Sequence, residues 1–214
     1  MDEEKTGGSE VKARRIGSIG TLVDRRITRL LERMRAGQSS ARRDLAALRM
    51  AVNQRPGESP EIWALTEVGS SKDDGLEPTA EEWAVHIAMC LFGTHQQGQS
   101  QPAHNRTVSL GQAVRILDQN DRGGEQETSI SPVWRRFTAA MLSNDIQGVR
   151  EHLQGLIGQL HSSKSLIPLD YAALAEDLVR MQRPGGAGSV RLQWQRDFYY
   201  VPTTKNNDNT ESKK

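Results

Sequence analysis

The apolar stretch at residues 83–93 constrains the fold more than any other part of the chain. Only His86 is strongly polar there, and the Trp, Ile, Met, Leu and Phe side chains would point to all sides of a helix. A helix that is apolar all round must be buried on nearly every side. Thr79, followed three residues later by Glu82, has the capping-box pattern of a helix start. The stretch therefore predicts a central helix with other helices packed around it.

The remaining segments also follow the helical period. Apolar residues recur at intervals of three and four along most of the chain, and no segment shows the alternation that a strand requires. The candidate starts of later helices are Ser39 or Ser40, Ser131, Asp145, Asp170 and Ser189. The sequence predicts an all-α protein with about eight or nine helices in two packed helical bundles.

The domain organisation is predicted from the polar stretches. The Gln-rich residues 94–107 are the candidate boundary, which gives an N-terminal helical domain at residues 16–104 and a C-terminal helical bundle at residues 105–201. Residues 1–15 mix acidic and basic side chains, and residues 203–214 have no apolar side chain. We expect disordered tails at residues 1–15 and 202–214 because such segments cannot bury enough apolar surface to fold.

Positive charge is concentrated near the start of the chain. Residues 11–55 contain 12 basic and 3 acidic side chains, a net charge of 12 − 3 = +9, whereas the whole chain carries +1. Eleven of the twelve are Arg, which binds phosphate through two parallel hydrogen bonds. Arg25, Arg29 and Arg33 share one stripe of the first predicted helix. Arg42 and Arg49 share one flank of the second. This segregation indicates a phosphate-contacting surface or, alternatively, a solvated helical face.

Few sequence features support catalysis or metal binding. His86, Cys90 and His95 lie on one predicted helix and could supply metal ligands, but a cysteine among Trp, Leu and Phe is more typical of a buried core. The Gly-rich residues 185–188 could hold a phosphate, although a helix–helix turn explains them as well. We therefore expect neither an enzyme nor a bound cofactor.

The cellular location is predicted from features that the sequence lacks. No apolar run reaches the length of a membrane span, nothing resembles a signal peptide, and Cys90 is the single cysteine. We expect a cytoplasmic protein with no membrane partner.

The last predicted helix has apolar residues on two sides. Val190, Trp194 and Phe198 are four apart and form one stripe, whereas Tyr199 lies on the other side. Such a helix is buried within a bundle or covered by a partner. Tyr199 and Tyr200 are the candidates for a partner interface.

An ordered set of short segments gives the chain a family resemblance. The segments are Ala47-Leu48-Arg49, the apolar residues 83–92 with His95-Gln96-Gln97, Ser109-Leu110-Gly111, Trp134-Arg135-Arg136-Phe137, Pro168-Leu169-Asp170-Tyr171, and residues 190–199. In this order, on an all-helical pattern, they resemble the CasB family. These proteins are the small subunits of the type I-E CRISPR surveillance complex, Cascade. The resemblance covers the chain from about Leu22 to Tyr200.

The resemblance implies a non-catalytic role in antiviral defence. Family members sit as a dimer inside a ribonucleoprotein, beside the backbone and large subunits and the CRISPR RNA. Their basic surface is thought to hold the displaced strand of the target DNA, which would stabilise the R-loop.

Only some of the basic positions of the family are occupied by basic residues in this chain. Arg49, Arg135 and Arg136 match basic positions of the family, whereas Gln112 stands where many members have a basic residue. Glu82 and Asp145 also stand where some members have Arg. The residues added from charge and position alone are Arg25, Arg29, Arg33, Arg42, Arg43, Arg115, Arg183 and Arg191.

Two other functions are compatible with the sequence. A free-standing helical DNA-binding regulator would need a helix-turn-helix with a tight Gly turn, of which residues 35–40 are a weak version. An enzyme would need a polar catalytic cluster, and the sequence contains no H-E-x-x-H, Walker loop, G-x-S-x-G or cysteine pair.

Overall fold

The computed structural model describes residues 16–69, 75–122 and 131–200 of the chain. These ranges contain nine α-helices and no β-strand, which confirms the predicted all-α class. The helices are α1 (Ser18–Arg35), α2 (Ser39–Met50), α3 (Trp63–Thr66), α4 (Ala80–Gln96), α5 (Leu110–Arg122), α6 (Pro132–Leu142), α7 (Ile146–Ser162), α8 (Tyr171–Met181) and α9 (Gly186–Tyr199). Two short 3₁₀ helices, Ala51–Asn53 and Pro60–Ile62, lie between α2 and α3.

Helix α4 is the centre of the fold. Every residue from 83 to 93 is buried, and α4 packs against α1, α2, α7 and α8. Its start is the predicted capping box: the Thr79 hydroxyl accepts from the Glu82 amide at 3.2 Å, and the Glu82 carboxylate accepts from the Thr79 amide at 2.8 Å. The prediction of a central buried helix is confirmed.

The helices form two groups around α4. Helices α1, α2, α4 and α8 pack together, and α5, α6, α7 and α9 form the second group. The α4–α7 and α8–α9 contacts join the groups. Helix α8 follows residue 104 in the chain but packs on α1 and α4, so it crosses the predicted domain boundary. The division at residue 104 stays a prediction.

Three glycines allow helices to approach closely. A Cβ on Gly20 of α1 would lie 2.9 Å from the carbonyl oxygen of Ala172 in α8, and a Cβ on Gly93 of α4 would lie 2.8 Å from the Leu48 Cβ in α2. On Gly111 of α5 it would overlap the backbone of α9. These crossings bring the helix backbones closer than any larger residue would permit.

Most predicted helix starts are confirmed by their caps. The Ser131 hydroxyl accepts from Trp134 N at 3.0 Å. Asp145 caps α7 and Asp170 caps α8 in the same way. The second helix differs, since α2 begins at Ser39 without a side-chain cap. The Ser40 hydroxyl instead accepts from Arg33 at 2.8 Å.

The last helix begins earlier than predicted. Helix α9 starts at Gly186, not Ser189, because Gly185 alone makes the turn, with φ of 73°. Next to α3, Trp63 is 50% exposed, whereas its neighbour Ile62 is buried. Among the described helices, none combines the length and hydropathy that crossing a membrane requires.

Candidate nucleic-acid interface

The basic N-terminal segment forms helices α1 and α2, which pack on each other. Gly37, with φ of 70°, turns the chain between them. Arg33 of α1 spans the two helices, since its guanidinium donates to the Asp44 carboxylate at 2.7 Å. Lys12, Arg14 and Arg15 lie outside the described residues. Arg26 is turned inward, where it donates to the carbonyls of Leu65 and Glu67 at 3.2 and 2.6 Å. The other basic side chains of α1 and α2 lie away from the buried stripes.

A groove of about 390 Å³ runs along one flank of α2. Arg42 and Arg49 both line it, as their spacing of seven residues predicts, whereas Arg43 is exposed elsewhere on the helix. Met34, Leu45 and Ala46 contribute the apolar part of the lining, and residues 96–100 form the opposite wall. The groove therefore combines two cations, an apolar floor and a wall of amide side chains.

Gln96 holds that opposite wall in place. Its side chain is buried at the end of α4, where Nε2 donates to the carbonyls of Gln99 and Gln101 at 3.2 and 3.1 Å. Its Oε1 accepts from Ala103 N at 2.8 Å. Three hydrogen bonds to the backbone thus fix the loop after α4, and Gly98 supplies the turn with φ of 68°.

The predicted arginines fall into two sets by their contacts. In the first set, no guanidinium forms a hydrogen bond or ion pair with another described residue. This unpaired set comprises Arg25, Arg29, Arg42, Arg43, Arg49, Arg135 and Arg136. All but Arg49 are exposed, and Arg49 is half-buried along the groove. An arginine that spends no hydrogen bond inside the protein can give its donors to a phosphate.

The second set of arginines is engaged within the protein. The Arg33 guanidinium is paired with Asp44, and Arg183 donates to Glu81 at 3.1 Å. The other two bond to main-chain carbonyls: Arg115 to that of Tyr200 and Arg191 to that of Met141. Sequence spacing could not separate these four arginines from the unpaired set. Three of them bond to residues that are distant in the chain, and only Arg33 has a nearby partner, Asp44.

The unpaired arginines do not form a single cluster. Those of α1 and α2 belong to the first helix group, whereas Arg135 and Arg136 lie on the exposed side of α6 in the second. The side chain of Arg136 crosses the backbone of α7 at Gly155, where a Cβ would lie 2.8 Å from its Nε. At the end of the same helix, the carbonyl of His161 accepts a hydrogen bond from the Gln99 amide of the groove wall at 3.4 Å. Helix α7 therefore contacts both Arg136 and the wall of the groove.

Sequence reasoning missed several residues. Arg35 and Arg196 are exposed, and their guanidinium groups also form no hydrogen bond or ion pair with a described residue. Gln97, Gln99 and Met34 line the groove. The Arg residues could have been found by the same charge count. The groove residues could not, because they meet only through the packing of α1, α2 and α4.

The two C-terminal tyrosines lie on the surface. Tyr199 is 66% exposed, with its ring centroid 5.8 Å from that of Trp134, and Leu192 beside it on α9 is 48% exposed. Tyr200 lines a separate groove of about 350 Å³ with Ile116 and Arg115. The buried stripe of α9 holds Val190 and Trp194, so its second apolar side is uncovered in this chain.

The histidines and cysteine of α4 belong to the core. His86, Cys90 and His95 are all buried. Burial raises the pKa of the Cys90 thiol, and burial lowers the pKa of His95 to about 4. The His95 Nδ1 lies 2.9 Å from the Tyr171 hydroxyl. Within the described residues, no group of three or more His, Cys, Asp or Glu is placed to hold a metal ion.

The fold and the exposed arginines define an all-helical protein with a basic surface on α1 and α2. The family model described as CRISPR-associated protein Cse2 matches residues 44–199, and the chain belongs to this family. No curated protein matches the chain.

Two solved structures are similar to this chain. The crystal structure of CasB from Thermobifida fusca has a TM-score of 0.70 and 27% identity, covering 87% of this chain and 100% of that one. The crystal structure of M. ruber CasB, with a TM-score of 0.58, 20% identity and 81% and 92% coverage, shares the fold. The resemblance to the CasB family is confirmed, which supports a role as a subunit of a CRISPR Cascade complex.

Proposed function

We propose that this protein is the non-catalytic small subunit of a type I-E Cascade complex and holds the displaced non-target DNA strand through its unpaired arginines. The observation that carries this proposal is the outer side of α2. There, Arg42, Arg43 and Arg49 present three guanidinium groups without a partner among the described residues. The role is electrostatic and needs no reacting group.

The energetics of R-loop formation explain why such a surface matters. The RNA–DNA duplex that forms is about as stable as the DNA duplex that it replaces, so protein contacts to the backbone can decide the balance. Each arginine that contacts a phosphate releases a counterion, which favours binding most at low salt. Holding the displaced strand would therefore stabilise the R-loop in antiviral defence without reading its sequence.

The contacts of the arginines suggest a division of roles. The unpaired set, with Arg35 and Arg196, contacts the nucleic acid. Arg33, Arg115, Arg183 and Arg191 mainly fix helices and chain ends, and they add positive potential to the protein surface. The subunit acts in the cytoplasm, within a ribonucleoprotein that contains CRISPR RNA.

The uncovered side of α9 is the proposed contact with other proteins of the complex. Leu192 and Tyr199 are exposed there, and Tyr200 is exposed just after the helix ends. Exposed large apolar side chains on one helix face are typical of protein–protein contacts. The partner is a second copy of this chain or a backbone or large subunit.

The first experiment replaces Arg42, Arg43 and Arg49 together with alanine. We expect the assembled complex to bind target DNA at least tenfold more weakly at moderate salt. The slope of log affinity against log salt should fall by about two, because each lost phosphate contact removes roughly 0.7 from it for a single strand. Affinity is measured by filter binding at four salt concentrations.

The matched control replaces Arg55, Arg106 and Lys164 with alanine, which removes the same charge from other exposed positions. Arg55 is paired with Glu77, and Arg106 lies 4.0 Å from Asp24. This variant should keep at least a third of the wild-type affinity. Equal losses in the two triple variants would mean that net charge, and not the α2 surface, determines binding.

A tagged pull-down from the protein's own cells tests the assembly itself. Co-purification of several larger proteins and of short RNAs with a common repeat and varied spacers is the expected result. Recovery of the protein as a dimer alone, from cells that express CRISPR RNA, would contradict it and favour a free-standing DNA-binding regulator.

A further inference from the structure

We propose that the groove between α2 and residues 97–100 takes one unpaired nucleotide, with its base on the apolar floor and its flanking phosphates on Arg42 and Arg49. This inference rests on the proposed function and deepens it. It assigns to the α2 surface a pocket for a base, in addition to a row of charges.

The dimensions of the groove fit such an occupant. Its volume of about 390 Å³ lies in the range of small-molecule sites, about 300–1,000 Å³. Arg42 and Arg49 are two helical turns apart on α2, which places their Cα atoms roughly 10 Å apart along the helix axis. Both side chains are long and have no partner among the described residues, so they can reach the two phosphates on either side of a single base.

The lining suits a base better than a bare phosphate. A phosphate needs only cations and amides, yet Met34, Leu45 and Ala46 give the groove an apolar floor. The thioether of a methionine packs favourably on an aromatic ring. The amide of Gln97 carries a donor and an acceptor for the polar edge of a base. Gln99 offers its Oε1 as an acceptor, since its Nε2 donates to the His161 carbonyl. Such a lining is tolerant of base identity, as the holding of an arbitrary displaced strand requires.

The groove is built before any ligand arrives. The buried Gln96 side chain makes three hydrogen bonds to the backbone of the opposite wall. Gly93 brings α2 and α4 together below it, where a Cβ would lie 2.8 Å from that of Leu48. Binding would therefore cost little ordering of the protein.

The pocket would add a preference for single-stranded over duplex DNA, which charge alone cannot give. Duplex DNA has a higher charge density than a single strand, so a purely cationic surface attracts the duplex at least as strongly. A base can enter the groove only when it is unpaired. Occupation of the groove therefore follows strand separation and selectively stabilises the opened state.

Permanganate footprinting of the assembled complex on target DNA tests this inference. The displaced strand carries a run of thymines, which react with permanganate when they are unpaired and exposed. We expect at least one thymine to react at least fivefold less than its neighbours. Ala46→Phe fills the groove and keeps both arginines, and it should bring that thymine to the reactivity of its neighbours.

Met50→Phe is the matched control because Met50 is 73% exposed on α2 and does not line the groove. It should leave the protection unchanged. Gln97→Ala is a second variant at an exposed position, so its folding is not at risk, and it should weaken the protection at least twofold. Circular dichroism checks the fold of each variant.

The outcomes separate this inference from the proposed function. If no thymine is protected, or if protection survives both Ala46→Phe and Gln97→Ala, the nucleotide pocket is overturned while the arginine surface stands. If the triple arginine variant also binds target DNA like wild type, the proposed function fails, and the pocket fails with it.

Discussion

The indole Nε1 of Trp194 donates a hydrogen bond to the carboxylate of Asp177 at 2.8 Å, and both side chains are buried. Trp194 lies on α9 and Asp177 on α8, so this bond joins the two helix groups. Arg180, one turn after Asp177, also approaches that carboxylate at 3.6 Å. A buried carboxylate with these partners is a point where one substitution should weaken the whole fold.

We predict that Asp177→Ala lowers the free energy of unfolding by about 2–4 kcal/mol, because it leaves the buried Trp194 donor without its acceptor. Asp177→Asn keeps an acceptor at the same place and should cost less than half as much. Urea unfolding followed by Trp fluorescence measures both. Equal losses for the two variants would mean that the charge of Asp177, and not its hydrogen bond, stabilises the junction.

A second prediction concerns the crossing of α5 and α9. Gly111 faces the Trp194 carbonyl and the Phe198 amide nitrogen, and a Cβ there would overlap both. Gly111→Ala should therefore force the helices apart and lower the free energy of unfolding by about 1–3 kcal/mol, as overpacking does. Thermal unfolding by circular dichroism measures the loss.

Gly158 provides the matched control for this crossing. It lies in the interior of α7, and a Cβ there would have no neighbour within 4 Å. Gly158→Ala should raise the free energy of unfolding by about 0.5–1 kcal/mol, since alanine is the better helix former. A similar loss at both glycines would contradict the close approach of α5 and α9.

The third prediction is a pH dependence from His95. Burial lowers the pKa of His95 from its ordinary value of 6.5 to about 4. Between these values the unfolded chain binds a proton that the folded chain does not. The free energy of unfolding therefore has its full value above about pH 6.5. It decreases by roughly 1.4 kcal/mol per pH unit as the pH falls toward 4.

Comparison with His95→Gln isolates this contribution. The variant removes one titrating group, whereas Asp170, whose pKa burial raises, and His86, whose pKa burial lowers, remain in both proteins. Between pH 6.5 and 5 wild type should lose about 2 kcal/mol more than the variant does. Urea midpoints at the two pH values test it, and parallel losses in the two proteins would count against a buried neutral His95.

The sequence predicted the parts of this fold that depend on neighbours in the chain. Helix α4 was predicted from the apolar residues 83–93 and the Thr79–Glu82 capping box. The caps at Ser131, Asp145 and Asp170 were predictable because each side chain bonds an amide only three residues away. The start of α9 was misplaced because Gly186 and Gly188 read as helix breakers. In the structure Gly185 makes the turn by itself, and helix follows at once.

The candidate site was predictable only in its charges. The spacing of Arg42 and Arg49 placed them on one flank of α2, and the groove confirms that placement. The sequence did not predict the opposite wall of the groove. The loop that Gln96 holds is also bonded to Leu169, which is more than 60 residues away in the chain. The partners of Arg115 and Arg191 are likewise distant in sequence, so charge alone could not show that both are engaged.

The last prediction concerns the uncovered side of α9. Leu192→Lys with Tyr199→Lys should detach this subunit from the complex during size-exclusion chromatography, because two charges would be buried in an apolar contact. The isolated protein should lose at most about 1 kcal/mol of stability, since both side chains are exposed, at 48% and 66%. Leu76→Lys is the matched control, as Leu76 is fully exposed in the loop before α4. Retention of the double variant at wild-type stoichiometry would show that this face is not a subunit contact.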